Sequence, residues 1–149
     1  MKKLFKKVLA TVLVMCLSVT SFCSVSAVAA TTEGVTPYYN NVRAVNTVIG
    51  ISSSGKLTIN YYYSGSSSIT TKAVITTYIQ KKTLGLFWTR VDIGTTDNEW
   101  VDTIKDYSYD GVRTFQLSSK GTYRVTAIYK IYGSGGSADE IETRATDTY

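Results

Sequence analysis

The chain has 149 residues, with 16 Lys and Arg against 11 Asp and Glu for a formal charge of +5, two Cys, one Pro and no His. Its first thirty residues hold four of the lysines, both cysteines and no acid, so the remaining 119 carry 12 bases against 11 acids and sit at +1. This allows one domain with an ordinary core, excludes thiol and disulfide chemistry after Ala30, and removes imidazole as a general base or metal ligand.

Met1 to Lys7 (MKKLFKK) is a cationic n-region, Val8 to Phe22 is an apolar run of fifteen, and Ser24 to Ala30 is small and weakly polar. That is the layout of a secretory signal peptide, with small residues suiting cleavage after Ala29 or Ala30. Residues 1–30 are therefore expected to form a signal-peptide helix that is removed on export, leaving a secreted, extracellular chain. The apolar run is shorter than the roughly 20 residues a membrane-spanning helix needs. Met15 before Cys16 and Phe22 before Cys23 are too large for lipid attachment. Residues 31–37, ending at the single proline, read as a flexible N-terminus, and 38–149 as one domain. No sortase-type tail or second apolar segment follows, so release into the medium is expected.

Beyond Pro37, Val, Ile, Thr and Tyr dominate and Gly-Ser clusters punctuate, which is the composition of strands and turns. Strands are predicted over 39–51, 55–63, 69–82, 86–94, 98–105, 111–118, 121–133 and 138–146. Turns are predicted at Ser52–Gly55, Ser64–Ser68, Thr83–Gly85, Asp110-Gly111, Lys120-Gly121 and Gly133–Ser137. Short strands at this spacing give an all-β fold of two packed antiparallel sheets. Period-two alternation turns Leu57, Ile59, Tyr61 and Tyr63 inward, with Ala73, Ile75, Thr77 and Ile79, and Tyr123, Val125, Ala127, Tyr129 and Ile131. The last strand places Ile141, Thr143 and Ala145 inside and Glu140, Glu142 and Arg144 outside. Trp88 is opposite in phase to Phe87, Val91 and Ile93. The first, fourth and fifth strands alternate poorly, as bulged or edge strands do.

Lys120-Gly-Thr-Tyr-Arg-Val125 resembles the start of the penultimate strand of immunoglobulin-like sandwiches, where a tyrosine hydroxyl bonds back to the preceding corner. The resemblance gives that structural corner to Tyr123 and sets Val125 where immunoglobulin domains place a cysteine. The order Ile79-Gln-Lys-Lys82, Phe87-Trp-Thr-Arg-Val91, Lys120-Gly-Thr-Tyr-Arg124 and then Glu140 is similar to that of small secreted Gram-positive bacterial proteins of unassigned function. It covers most of residues 38–146. It implies an extracellular immunoglobulin- or fibronectin-like antiparallel β-sandwich of seven or eight strands, and no catalytic residue.

Three constellations could carry function. Tyr62, Tyr78, Trp88 and Tyr132 all point outward in this assignment and form the candidate binding surface, since flat amphipathic rings stack on sugars and peptide side chains while their tips stay wet. Asp92, Asp97, Glu99, Asp102, Asp106 and Asp110 crowd into nineteen residues, an oxygen-rich stretch of the kind that can hold Ca²⁺, but no spacing among them matches a calcium loop, so no cofactor is expected and calcium is the alternative. A glycosidase would need two of these carboxyls across a sugar-sized cleft, for which a sandwich this small has little depth. A Lys–Asn crosslink between Asn46 or Asn60 and Lys56, Lys72 or Lys130 is disfavoured because most of these face outward. The near-neutral charge after Ala30 argues against nucleic acid and against electrostatic membrane binding. The expectation is a secreted, non-catalytic binding module for an extracellular protein or glycan. Its rivals are an assembly protein pairing through an edge strand such as 138–146, and a small secreted effector.

Overall fold

The computed structural model describes residues 39–149. The expected signal segment, with Ala29 and Ala30, and residues 31–38 lie outside the described residues. Eight strands follow in order: β1 (Val42–Ile51), β2 (Lys56–Gly65), β3 (Thr70–Thr83), β4 (Phe87–Arg90), β5 (Trp100–Ile104), β6 (Ser108–Gln116), β7 (Thr122–Gly133) and β8 (Asp139–Thr148). They form a three-stranded sheet, β1-β2-β6, and a five-stranded sheet, β4-β3-β7-β8, in which β5 also pairs with β3. Every pairing is antiparallel.

The poorly alternating strands are edge strands. β5 takes the Ala73–Thr77 stretch of β3 and β4 takes Gln80–Thr83, so the two short strands share one edge. β1 borders the smaller sheet and carries a register shift between Val42 and Ala44. An edge strand packs against fewer neighbours, which relaxes the demand for a strict inside and outside.

Where alternation is clean, it locates the core. Leu57, Ile59, Tyr61 and Tyr63 of β2 face Ala73, Ile75 and Ile79 of β3 and Tyr123, Val125, Ala127, Tyr129 and Ile131 of β7, all buried. Three of the predicted details differ. Val91 and Ile93 pack against the core from the segment after β4, but Phe87, which shares their phase, is exposed. β4 stops at Arg90 because the chain then turns away towards β5. Asp110-Gly111 is not a turn: β6 runs straight through it. The Tyr109 ring lies across Gly111, 2.1 Å from where a Cβ would stand, so Gly111 is there to make room for a ring.

The described residues contain no cysteine, so the sheets are joined by packing and by side-chain hydrogen bonds between them. The Tyr129 hydroxyl donates to the Asn46 carbonyl at 2.9 Å and pairs with Thr47 Oγ1 at 2.7 Å. Thr143 of β8 donates to Thr47 Oγ1 at 2.7 Å and completes the bridge. At one end of the sandwich, the buried Asp139 accepts the backbone N–H groups of Asn40 at 2.9 Å and Asn41 at 2.6 Å. Asn41 in turn donates to Ser137 O and accepts from Gly135 N–H, while the Thr70 hydroxyl donates to Asn41 O. One carboxylate thus ties the start of β1 to the β2–β3 and β7–β8 turns. At the other end, Ile51 N–H donates to Asp147 Oδ2 at 2.7 Å.

The β3–β4 hairpin breaks a local rule. Leu84 and Gly85, in the turn closed by Leu86 N–H on Thr83 O at 3.1 Å, have φ of 52° and 69°. Glycine takes that conformation freely, whereas a leucine in it costs roughly 1 kcal/mol.

Two stability tests follow from this packing. Removing the carboxylate with Asp139→Ala leaves two N–H groups without their charged acceptor, and urea denaturation should show a loss of roughly 3 kcal/mol. Burial pushes the Tyr63 and Tyr129 hydroxyls up to about 12, with the charge on Asp106 adding to the effect at Tyr63. An unfolded tyrosine ionises near ~10, so the folded protein holds these two protons more tightly. That contribution is complete below pH ~10 and is lost as pH climbs towards 12. Absorbance titration should show Tyr63 and Tyr129 among the late-titrating tyrosines, with the thermal midpoint falling over the same window.

Candidate functional site

The outer face of the five-stranded sheet carries the densest arrangement of binding-type side chains. Register sets Arg90 of β4, Gln80 of β3 and Arg124 of β7 side by side in one row, and Trp88 beside Lys82 in the next. The Arg124 guanidinium donates twice to Gln80 Oε1, at 3.0 and 2.7 Å, and lies 4.4 Å from the Trp88 ring centroid. Lys82 reaches the same ring at 5.8 Å. Arg90 sits 3.9 Å from the centroid of Tyr78 and is steadied by Glu99 Oε2 at 3.2 Å and Asp97 O at 3.0 Å. Each cation over a ring face gains from the ring quadrupole, and each guanidinium also fixes its ring in one orientation. The result is a ledge of alternating rings and guanidinium groups, with Gln80 as the connecting amide.

Of the four aromatic candidates, Tyr78 and Trp88 come together there. Tyr132 is on the same outer face but pairs with Lys72, six positions along β3 from Tyr78, or about 20 Å at strand rise. Its ring is covered by Lys72 Nζ at 4.5 Å. Tyr62 belongs to the outer face of the other sheet, between Asn46 and Asp110. The four therefore make one pair and two separate rings. The Tyr123 hydroxyl donates to Ser119 O at 2.6 Å, back across the β6–β7 corner.

Arg90, Arg124 and Gln80 were not singled out from the sequence. Their signal was the alternate spacing of Tyr78, Gln80 and Lys82 on β3, legible only once β4 and β7 are known to flank that strand. Arg113 was also missed as a structural residue. It points inward from β6, holds both oxygens of Asp102 at 2.7 Å, and lies 4.8 Å from the Trp100 ring centroid. Trp100 meets Phe115 edge-on at 5.9 Å. The Tyr61 hydroxyl, raised above its usual range chiefly by burial, is next to this group.

Four of the six clustered acids have separate partners for their carboxylates. Asp92 caps Gly94 N–H, Glu99 pairs with Arg90, Asp102 with Arg113, and Asp106 accepts Tyr107 N–H, while Asp110 lies exposed on β6. Among the described residues no three acidic side chains converge to hold a metal ion. Asn46 and Asn60 are exposed on the outer face of the smaller sheet, whereas Lys72 and Lys130 belong to the larger one. At the Asp139 end, a cleft of about 210 Å³ runs between Tyr39, Asn41, Val42, Ser66 and Ile69. That is below the range of about 300–1,000 Å³ usual for small-molecule sites.

No family model and no curated protein matches this chain. The two tryptophans offer a direct check on which aromatic cluster is structural. Trp100→Ala removes a ring wedged between Arg113 and Phe115 and should cost about 2–4 kcal/mol in urea denaturation. Trp88→Ala, on the outer face, should cost less than about 1 kcal/mol.

Proposed function

We propose that this is a secreted, non-catalytic binding module with an immunoglobulin-like sandwich, of the kind found among small extracellular proteins of Gram-positive bacteria. It engages an extracellular protein or glycan through the Tyr78–Trp88 ledge. One observation carries the reading: two half-buried rings and two guanidinium groups are locked into a single outer surface by Gln80, Glu99 and the Asp97 carbonyl. Locking matters because a surface already held in its binding shape loses little side-chain entropy on contact. An arginine has five N–H donors and Arg124 commits two of them to Gln80, so it keeps donors for a carboxylate of the ligand while Trp88 and Tyr78 supply stacking area.

The immunoglobulin-like part rests on two features. A β1-β2-β6 sheet facing β4-β3-β7-β8 is the strand partition such sandwiches use, and the Tyr123–Ser119 bond has the form of their tyrosine corner. The export reading rests on the N-terminal pattern alone. The edge-pairing alternative is disfavoured at β8, where exposed Glu140, Glu142 and Arg144 guard the free edge against another strand.

The test is retention on insoluble cell-wall glycan and on immobilised extracellular proteins. Trp88→Ala and Arg124→Ala should each weaken retention roughly tenfold or more, while Tyr62→Ala on the other sheet leaves it unchanged. Retention that survives both ledge substitutions, or that falls equally with Tyr62→Ala, would overturn the proposal.

A further inference from the structure

The tip of the β3–β4 hairpin exposes three large apolar side chains in succession: Leu84 is 85% exposed, Leu86 75% and Phe87 64%. The last rung between β3 and β7 is Lys81 with Tyr123, so residues 82–87 run on past the body of the sheet with only their own hairpin for support. Nothing in the described fold covers them. Folding does not explain Leu84 in particular, since it takes a left-handed φ of 52° that asparagine or glycine would adopt more readily, and it buries almost none of its surface. A residue that breaks a local rule with no gain in packing points to a use outside the fold.

The surroundings say what kind of use. Residues 70–91 and 111–138, which hold β3, β4 and β7, contain no acidic residue. Lys82 and Arg124 flank Trp88 just behind the tip. Lys81 reaches Ser119 Oγ at 2.7 Å, which brings it alongside Lys120 of the β6–β7 corner. An apolar spike, an indole at its base and a collar of lysine and arginine is the order in which these groups sort across a bilayer interface. Leucine and phenylalanine enter the acyl region, tryptophan sits at headgroup level and long cations reach the phosphates.

We propose that the hairpin tip is a membrane-docking element that inserts Leu84, Leu86 and Phe87 into an anionic phospholipid surface, with Lys81, Lys82, Lys120 and Arg124 on the headgroups. The acids nearest this end are already committed, Asp147 on the row of Lys81 and Tyr123 to Ile51 N–H and Glu99 to Arg90, so Lys81, Lys82, Lys120 and Arg124 form no ion pair among the described residues, and the bilayer is the occupant the charge favours. The inference shares Trp88 and Arg124 with the ligand-binding ledge but turns on the tip residues Leu84, Leu86 and Phe87, which the ledge does not use. It also agrees with a net charge near zero, because membrane attraction depends on charges within a Debye length of the surface rather than on the total.

The experiment is co-sedimentation of the chain after Ala30 with vesicles of phosphatidylcholine alone and of phosphatidylcholine with about one third phosphatidylglycerol. Binding should require the anionic lipid, weaken with salt, and fall roughly tenfold for each of Leu86→Ser and Phe87→Ser. Lys82→Gln with Lys120→Gln should lower it by roughly tenfold or more. The decisive variant is Leu84→Asn, which should raise the thermal midpoint by relieving the backbone while lowering vesicle binding about tenfold. Absence of binding to anionic vesicles, or binding indifferent to the tip variants, overturns the proposal. So does a result in which those variants abolish capture of a protein partner while the unaltered chain leaves vesicles untouched. Leu86→Ser and Phe87→Ser should leave retention on glycan or protein unchanged, since neither residue belongs to the ledge, so either idea can fail alone.

Discussion

The fold depends on tyrosines that are buried by their rings and satisfied by their hydroxyls. Tyr63, Tyr123 and Tyr129 are core residues, and each carries a polar tip into a region where an unpaired hydroxyl is costly. Tyr63 reaches the carbonyl of Asp106, Tyr123 that of Ser119 and Tyr129 that of Asn46. Each ring therefore fills the interior while its hydroxyl fixes a loop or the opposite sheet. A leucine in the same place would fill volume but fix nothing. With no cysteine among the described residues, these directional contacts supply the restraint on how the two sheets sit, and they employ three of the chain's twelve tyrosines.

That arrangement explains which parts of the structure could be read from the sequence. Alternation along β2, β3 and β7 identifies the core because those strands are flanked on both sides and covered on one face, the condition under which period two is enforced. It fails at the margins. Phe87 has the phase of an inward residue, but β3 and β4 run past the end of β7, and a phase says nothing about whether a covering layer exists. Gly111 carries the ordinary mark of a turn, yet its cause is the neighbouring Tyr109 ring, a contact made within one strand face. Asp139 and Arg113 are not singled out by the sequence pattern, and only Asp139 is buried while the Arg113 side chain is half-buried. Their roles arise from residues 98 and 11 positions away.

The candidate ledge was legible only by halves. Outward phase correctly separates Tyr78 and Trp88 from the core, but phase cannot say which outward rings share a face. Tyr62 is outward on the wrong sheet, and Tyr132 is outward at the far end of the right one. What joins Tyr78 to Trp88 is the pairing of β4 and β7 on either side of β3, a non-local fact, and the guanidinium groups that pairing brings over the rings.

Net charge misleads in a related way. A value of +1 after Ala30 is a sum over a chain whose acids and bases are segregated. Ten of the eleven acids lie in 92–110 and 139–147, while β3, β4 and β7 carry cations and no acid. Because Coulomb attraction is screened within about 8–10 Å in physiological salt, a partner meeting the β3–β4 end experiences that end alone. The hairpin tip sharpens the point. Apolar side chains at a free tip are a liability in water, and a cationic collar that repels other copies of the same chain holds the liability in check. The same collar sets the sign of the surface on which those side chains could be buried.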